Sequence, residues 1–338
     1  MKNYFSNIAT MKKTLIILLV FIGYSAKSQD FHLSQYEMAP MYYNPAVTGL
    51  IFEDNVKMRV CGNYRSQWQK LQGKPYSSVG ISWDMPMDRF GIGVQVMDHI
   101  AGTSNFGTFQ FLASGSYNIT GAKSKNHILT TGLQLGFFQK RFADDALLFE
   151  NQYDATNGLD PNLPDGELFP RYSLIRFDAN IGVFYKYIDK NGKFDPSVGV
   201  GLYHLTMPNE SFTGQKHRLP LRWAITGACD IHANEDLTFT PNVLFMYQKK
   251  AMELNAGLMM GYHVSNSQYN LLAGASYRHK DAIVVHLGFK QGGNTFRISY
   301  DIVTSNLKNY GGRRGGFEMG VIYCGAGKGG MKVRSSTN

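Results

Sequence analysis

The sequence has little cysteine, no long apolar run beyond its first twenty-odd residues, and no catalytic signature. Each absence excludes something. Cys61, Cys229 and Cys324 are an odd, scattered set that forms neither a disulfide framework nor a CxxC metal pair. They leave open a disulfide between two of them. Without a later apolar stretch of about twenty residues, the rest of the chain holds no membrane helix. The nucleophile-elbow pattern GxSxG is absent. Gly325–Gly329 fails as a phosphate loop, because Ile322 replaces the first glycine and Gly329 stands where Ser or Thr is needed. Asp189-Lys190-Asn191-Gly192 carries its glycine two positions too early for a calcium loop and reads as an Asn-Gly hairpin turn. The nine histidines show no HxxxH spacing. The charge of +9 is not gathered into the basic stripe of a nucleic-acid binder. The reading is a protein without enzyme activity, cofactor, metal or nucleic-acid partner.

Part of that charge belongs to the presequence. Lys2, Lys12, Lys13 and Lys27 fall in residues 1–28, where no acid occurs, so the remainder carries about +5. Met11-Lys12-Lys13 opens an apolar run from Thr14 to Ile22, and Ala26-Lys27-Ser28 follows with small residues at the positions a signal peptidase reads. Residues 1–28 are therefore expected to be a signal peptide, with Met11 a second candidate start. No cysteine lies near the cut, which argues against a lipid anchor. The protein is expected to leave the cytoplasm.

What is abundant is aromatic and small. Aromatics reach 13%, with 20 Tyr and 22 Phe, beside 36 Gly. That mixture suits β-structure with crowded faces and aromatic girdles. From residue 55 the hydrophobic period is two. Val56, Met58, Val60, Gly62 and Tyr64 oppose Lys57, Arg59, Cys61, Asn63 and Arg65. Ile175, Phe177, Ala179, Ile181, Val183, Tyr185 and Tyr187 oppose Arg176, Asp178, Asn180, Gly182 and Lys186. Runs near residues 79–85, 90–96, 221–227, 283–290 and 296–302 repeat the design, giving about fourteen strands, many close to the length a tilted membrane strand needs.

The polar face selects the architecture. Arg59, Arg65, Arg176, Asp178, Arg222, Glu253, Arg278, Arg297 and Asp301 all fall opposite the apolar set. A soluble barrel keeps its apolar side inward, and about fourteen strands enclose too wide a space to fill that way. Turned inside out, the apolar residues meet lipid and the charges, with His286, face the lumen. The expected fold is all-β, a transmembrane outer-membrane barrel of about fourteen antiparallel strands over residues 55–324. Residues 29–54 are expected to form an N-terminal periplasmic or plug segment, and 325–338 a basic, Gly-rich tail. The connections Pro86–Arg89, Thr120–Asn126, Asp189–Lys193, His232–Asp236, Ser265–Ser267 and Gln291–Asn294 are short and are assigned to the periplasm. The alternate set holds the long ones, Ser66–Lys74, Arg141–Ser173, Thr206–Arg218 and Ser305–Arg314. Arg141–Ser173 also concentrates acid, at Asp144, Asp145, Asp154, Asp160, Asp165 and Glu167, and reads as a solvated loop.

The stretch Gln29–Gly49 is patterned as neither strand nor good helix. Pro40 and Pro45 each remove a backbone donor, and Asn44-Pro45 with Gly49 reads as a turn into the first strand. Gln-Asp-Phe-His-Leu-Ser-Gln-Tyr at Gln29–Tyr36, followed by Pro-Met-Tyr-Tyr-Asn-Pro-Ala-Val-Thr-Gly at Pro40–Gly49, resembles the mature N-terminus of the PorP/SprF family of type IX secretion outer-membrane proteins. Tyr64-Arg65-Ser66-Gln67-Trp68, Gly91-Ile92-Gly93, Thr240-Pro241-Asn242, Ser276-Tyr277-Arg278 and Arg297-Ile298-Ser299-Tyr300-Asp301 follow the same family in order. One departure stands out: Tyr323 is followed by the tail instead of ending the last strand.

The resemblance implies a component of the type IX secretion machinery in the outer-membrane lipid. It would support secretion and surface retention of partners such as gliding adhesins, through their C-terminal signal domain. Aromatics supply interface anchors. The candidate partner-binding residues are Gln35, Tyr42, Tyr43, Asn44, Pro45, Arg65 and Trp68. Two rivals stand beside this reading: a porin or hydrophobic-ligand transport barrel with Gln29–Gly49 as its plug, and a soluble secreted β-sandwich lectin.

Overall fold

A computed structural model describes residues 30–53, 55–68, 75–102, 105–121, 124, 126–142, 150–154, 158–160, 172–306 and 313–326. The expected signal peptide, the tail beyond 326, and Asp144, Asp145, Asp165 and Glu167 of the acidic connection lie outside them.

From Phe31 onward the chain is one cylinder. Fourteen strands pair antiparallel in chain order, and the first closes on the last. They are β1 (Val56–Gln67), β2 (Tyr76–Met87), β3 (Phe90–Ala101), β4 (Phe106–Asn118), β5 (His127–Arg141), β6 (Ser173–Tyr187) and β7 (Phe194–Tyr203). The second half comprises β8 (Arg222–His232), β9 (Leu237–Gln248), β10 (Ala251–His263), β11 (Tyr269–Arg278), β12 (Ala282–Gln291), β13 (Asn294–Val303) and β14 (Arg314–Ala326). A two-residue ladder between 153–154 and 158–159 sits in the β5–β6 connection. The β1–β14 seam runs from Val56↔Ala326 to Gln67↔Gly316. Closure removes every lateral strand edge along the shared length, so backbone polar groups are satisfied without water.

The faces divide as the alternation predicts. Val79, Ile81, Ile92, Val94, Leu133, Leu135, Ile181, Val183, Val285 and Leu287 are exposed on the outside. Such a continuous apolar belt belongs in hydrocarbon, because in water it would drive association. Aromatics ring both of its margins. Phe90, Tyr262, Tyr269, Phe289 and Tyr323 lie by the short turns, and Trp223, Tyr247, Tyr277 and Tyr300 by the opposite rim. The charges read as lumen-facing turn inward: Arg65, Asp178, Arg222, Glu253, Arg278, Arg297 and Asp301 are all buried. Arg176, on the same face, donates to the Asn209 carbonyl. Two stacked sheets are ruled out by the closed pairing, and with them the soluble sandwich.

One local assignment changes. Lys57 is exposed and Val56 buried, because the β1–β14 register shifts between Val56 and Met58. A bulge inserts one residue and inverts the alternation below it. Cys61, Cys229 and Cys324 are all free thiols.

Connection lengths alternate between the rims. On one side lie 88–89, 119–126, 188–193, 233–236, 264–268 and 292–293; on the other lie 68–75, 142–172, 204–221 and 304–313, with three short turns among them. The tightest turns place Asp88, Lys249 and Gly292 at positive φ, which matches the twist of two-residue hairpins. No helix among the described residues is long and apolar enough to cross a membrane.

Candidate functional site: the lead-in segment inside the barrel

Residues 31–51 do not pair with the sheet; they fill its interior. Two single turns, Tyr36–Met38 and Pro45–Val47, flank a four-residue helix, α1 (Pro40–Tyr43). Pro40 and Pro45 start their turns, where a missing N–H costs nothing. Asn44 is extended, as the residue before proline must be, and its Oδ1 accepts from Ala46 N at 2.9 Å. Met41, Tyr42, Tyr43 and Ala46 are almost wholly buried. Two strand glycines make room for this close approach. A Cβ at Gly132 would stand 2.4 Å from the Pro45 carbonyl carbon, and one at Gly182 would stand 2.1 Å from Asn44 Oδ1.

The interior is polar, so the segment is held mainly by hydrogen bonds and charge. Ser34 and Gln35 are the anchor. Their amides donate to the two oxygens of Glu318, at 2.7 and 2.8 Å. Ser34 Oγ accepts from Arg65 at 2.6 Å and from Arg278 at 2.8 Å, and donates to Asp301 at 2.9 Å. That uses both lone pairs and the one proton of a hydroxyl. Arg65 pairs with Asp301 and Glu318, each at 2.8 Å, and Arg278 pairs with Asp301 at 2.7 Å. Arg278 also pairs with Asp281, so two guanidinium groups meet three carboxylates. Removing one partner of such a buried set costs about 3–5 kcal/mol, since the remaining charge stays buried. Gln35 extends the network, donating to Ser299 Oγ and to the Glu318 carbonyl, and accepting from Arg297 Nε. Because Arg65 is on β1 and Glu318 on β14, the anchor bridges the seam at which the barrel closes.

Around the wall other bonds pin the rest. Arg222 lies between the rings of Tyr42 and Tyr203, 4.8 and 4.2 Å from their centroids, and donates to Tyr42 Oη at 2.9 Å. Asn44 Nδ2 donates to the Val183 carbonyl, and Thr130 Oγ1 to the Ala46 carbonyl. Ser116 Oγ donates to the Thr48 carbonyl, while Gly49 N donates to Asp84 Oδ2. Arg59 pairs with Asp84 and also reaches the Val47 and Leu50 carbonyls, fixing the segment where it turns into β1. His32 Nδ1 lies 3.1 Å from Glu253.

The candidate residues from the sequence fall into two groups. Gln35, Tyr42, Tyr43, Asn44, Pro45 and Arg65 come together inside the barrel, each buried and engaged in intramolecular contacts. Trp68 does not join them. It sits at the long-connection rim, half-buried, against Tyr76 at 4.9 Å between ring centroids. Sequence reasoning missed Ser34, Glu37, Asp84 and Glu318. Glu318 carried a usable signal, since Phe317 and Met319 flank it in strand alternation and place it on the inner face.

The barrel is closed around its own leading segment. A family model for the type IX secretion system membrane protein PorP/SprF matches residues 25–323. The chain belongs to this family. It is therefore a membrane component of type IX secretion, a family of secretion proteins and not of enzymes. No curated protein matches the sequence. Among solved structures, the chain is similar to a TodX deltaS2S3 mutant monoaromatic hydrocarbon channel at 11% identity and a TM-score of 0.49, covering 84% of this chain and 92% of that one. It is similar to the Ralstonia pickettii toluene transporter TbuX at 9% and 0.48, covering 84% and 92%. A Pseudomonas aeruginosa FadL homologue gives 13% and 0.46, covering 83% and 92%.

Proposed function

We propose that this chain is a non-enzymatic outer-membrane part of the type IX machinery that supports secretion and surface retention of partner proteins such as gliding adhesins. The observation that carries the reading is the family match over residues 25–323. The interior segment, which the transport rival also expects as a plug, supports it, because Ser34 and Gln35 bond to buried ion pairs that fix it to the wall as a docking body would need. Residues 1–28 act as its export signal. The short turns, with the start of β1 and the end of β14, face the periplasm and the secretion machinery. The long connections 142–172 and 204–221 face outward and hold the partner's C-terminal signal domain. Trp68 contacts that partner at the rim. Gln35, Tyr42, Tyr43, Asn44, Pro45 and Arg65 contribute by fixing the segment, and through it the shape of the mouth.

Deletion of the gene tests the reading. Surface-exposed partner proteins, measured by protease shaving of intact cells and mass spectrometry, are expected to fall while their cellular synthesis continues. Unchanged display in the deletion strain, combined with steady ion current through the purified barrel, would replace docking with transport.

A further inference from the structure

The barrel wall is stepped. β6 pairs with β5 over its whole length, from Tyr187↔His127 to Ser173↔Arg141. On its other side β7 pairs only from Lys186↔Ser197 to Ile181↔Leu202. The seven residues Ser173–Ala179 at the long-connection rim therefore extend past the end of β7. The odd-numbered residues turn their backbone groups to this unpaired side, since the Ala179 carbonyl accepts from Leu205 N just beyond β7. Most of those groups have found substitutes. The Ala179 amide donates to Asp178 Oδ1, the Phe177 carbonyl accepts from Thr206 Oγ1, and the Ile175 carbonyl accepts from Arg176. The amides of Ile175 and Phe177 have no acceptor among the described residues.

The connection that follows β7 meets the backbone of this edge only through Leu205 and Thr206 and then turns inward. Glu210 pairs with Lys140 on the inner face of β5, and Leu219 packs with Phe138 and Leu174. Unpaired amides are not tolerated in hydrocarbon, so this edge stands above the lipid. At that level the side chains of Ile175 and Phe177 remain 59% and 57% exposed. Free amides and exposed apolar side chains at alternate positions of one strand are both relieved by a single event, the addition of another strand. The border of the edge is basic. Arg176 bonds Asn209, Asn209 bridges Arg218, and Lys216, His217 and Arg218 are exposed, with His217 beside Glu210.

We infer that the β6 edge from Ser173 to Phe177 docks an extended segment of an exported partner, apolar at alternate positions and flanked by acidic residues. This rests on the secretion reading above and gives it a surface. Strand addition supplies carbonyls to the Ile175 and Phe177 amides, apolar side chains cover Ile175 and Phe177, and the acidic flank meets Lys216 and Arg218.

Two measurements test it. The detergent-solubilised full chain is mixed with a synthetic peptide alternating Val and Thr between terminal Asp-Glu pairs, and amide hydrogen exchange is followed. The Ile175 and Phe177 amides are expected to slow by at least about tenfold, with the β5-facing amides of Leu174 and Arg176 unchanged. No protection at millimolar peptide overturns the inference, as does disulfide trapping of Ile175→Cys into a dimer of two copies. In cells, Ile175→Pro with Phe177→Pro removes both amides without touching the β5 ladder. With the folded barrel verified by its mobility shift on unheated gels, surface-retained partner is expected to fall at least about fivefold. Retention at the unaltered level in this variant, where gene deletion abolishes it, overturns the docking edge and leaves the secretion reading standing. If deletion itself changes nothing, the secretion reading fails, and peptide protection alone decides whether the edge binds strands.

Discussion

Ser34→Ala isolates the anchor of the interior segment. The substitution keeps the backbone amides that bond Glu318 and removes only the hydroxyl. Arg65 Nη1 retains Glu318 at 2.8 Å, and Asp301 retains both arginines. Arg278 Nη1 loses the Ser34 oxygen it bonds at 2.8 Å. A hydrogen bond to a charged group is worth about 1.5–3 kcal/mol. At about 1.4 kcal/mol per factor of ten, local release of the segment should become roughly ten- to 150-fold more frequent. Amide hydrogen exchange on the purified protein reads this directly. The Ser34 and Gln35 amides should accelerate by that factor, and the ladder amides of β12 should not. Acceleration below about threefold would refute the network as the anchor. Equal acceleration of barrel and segment would refute their independence.

Other perturbations test the remaining contacts. Gly132→Val and Gly182→Ala place atoms against Pro45 and Asn44, so each should displace the segment and expose it to protease. Gly62→Ala, which meets nothing within 4 Å, should not. Val183 is 48% exposed on the outer face. Val183→Arg should therefore cost about 2–4 kcal/mol in folding titrations into lipid vesicles, and a cost near zero would place that face outside the hydrocarbon.

Much of the barrel was legible because strand alternation is local. Each inward Arg or Asp lies between outward apolar neighbours, so Arg176, Arg222, Arg297 and Asp301 declare their face from a few residues. Lys57 escaped that logic because a bulge is a property of the pair β1–β14, and one strand read alone does not contain it. The fate of residues 31–51 was harder. The contacts that hold Ser34 and Gln35 reach residues 31 to 284 positions away, so no short window reports them. The prolines announced a turn-rich segment and left open whether it sat inside or below the barrel. The step at β6 was hidden for the same reason as the bulge: strand length is local, and register against a neighbour is not.

Single-channel recording in planar lipid bilayers tests most directly the claim that the lumen is filled by its own leading segment. The full chain should pass no steady current, and Gly182→Ala, with the segment displaced, should open a persistent conductance. A steady, ohmic current through the unaltered protein would contradict the account.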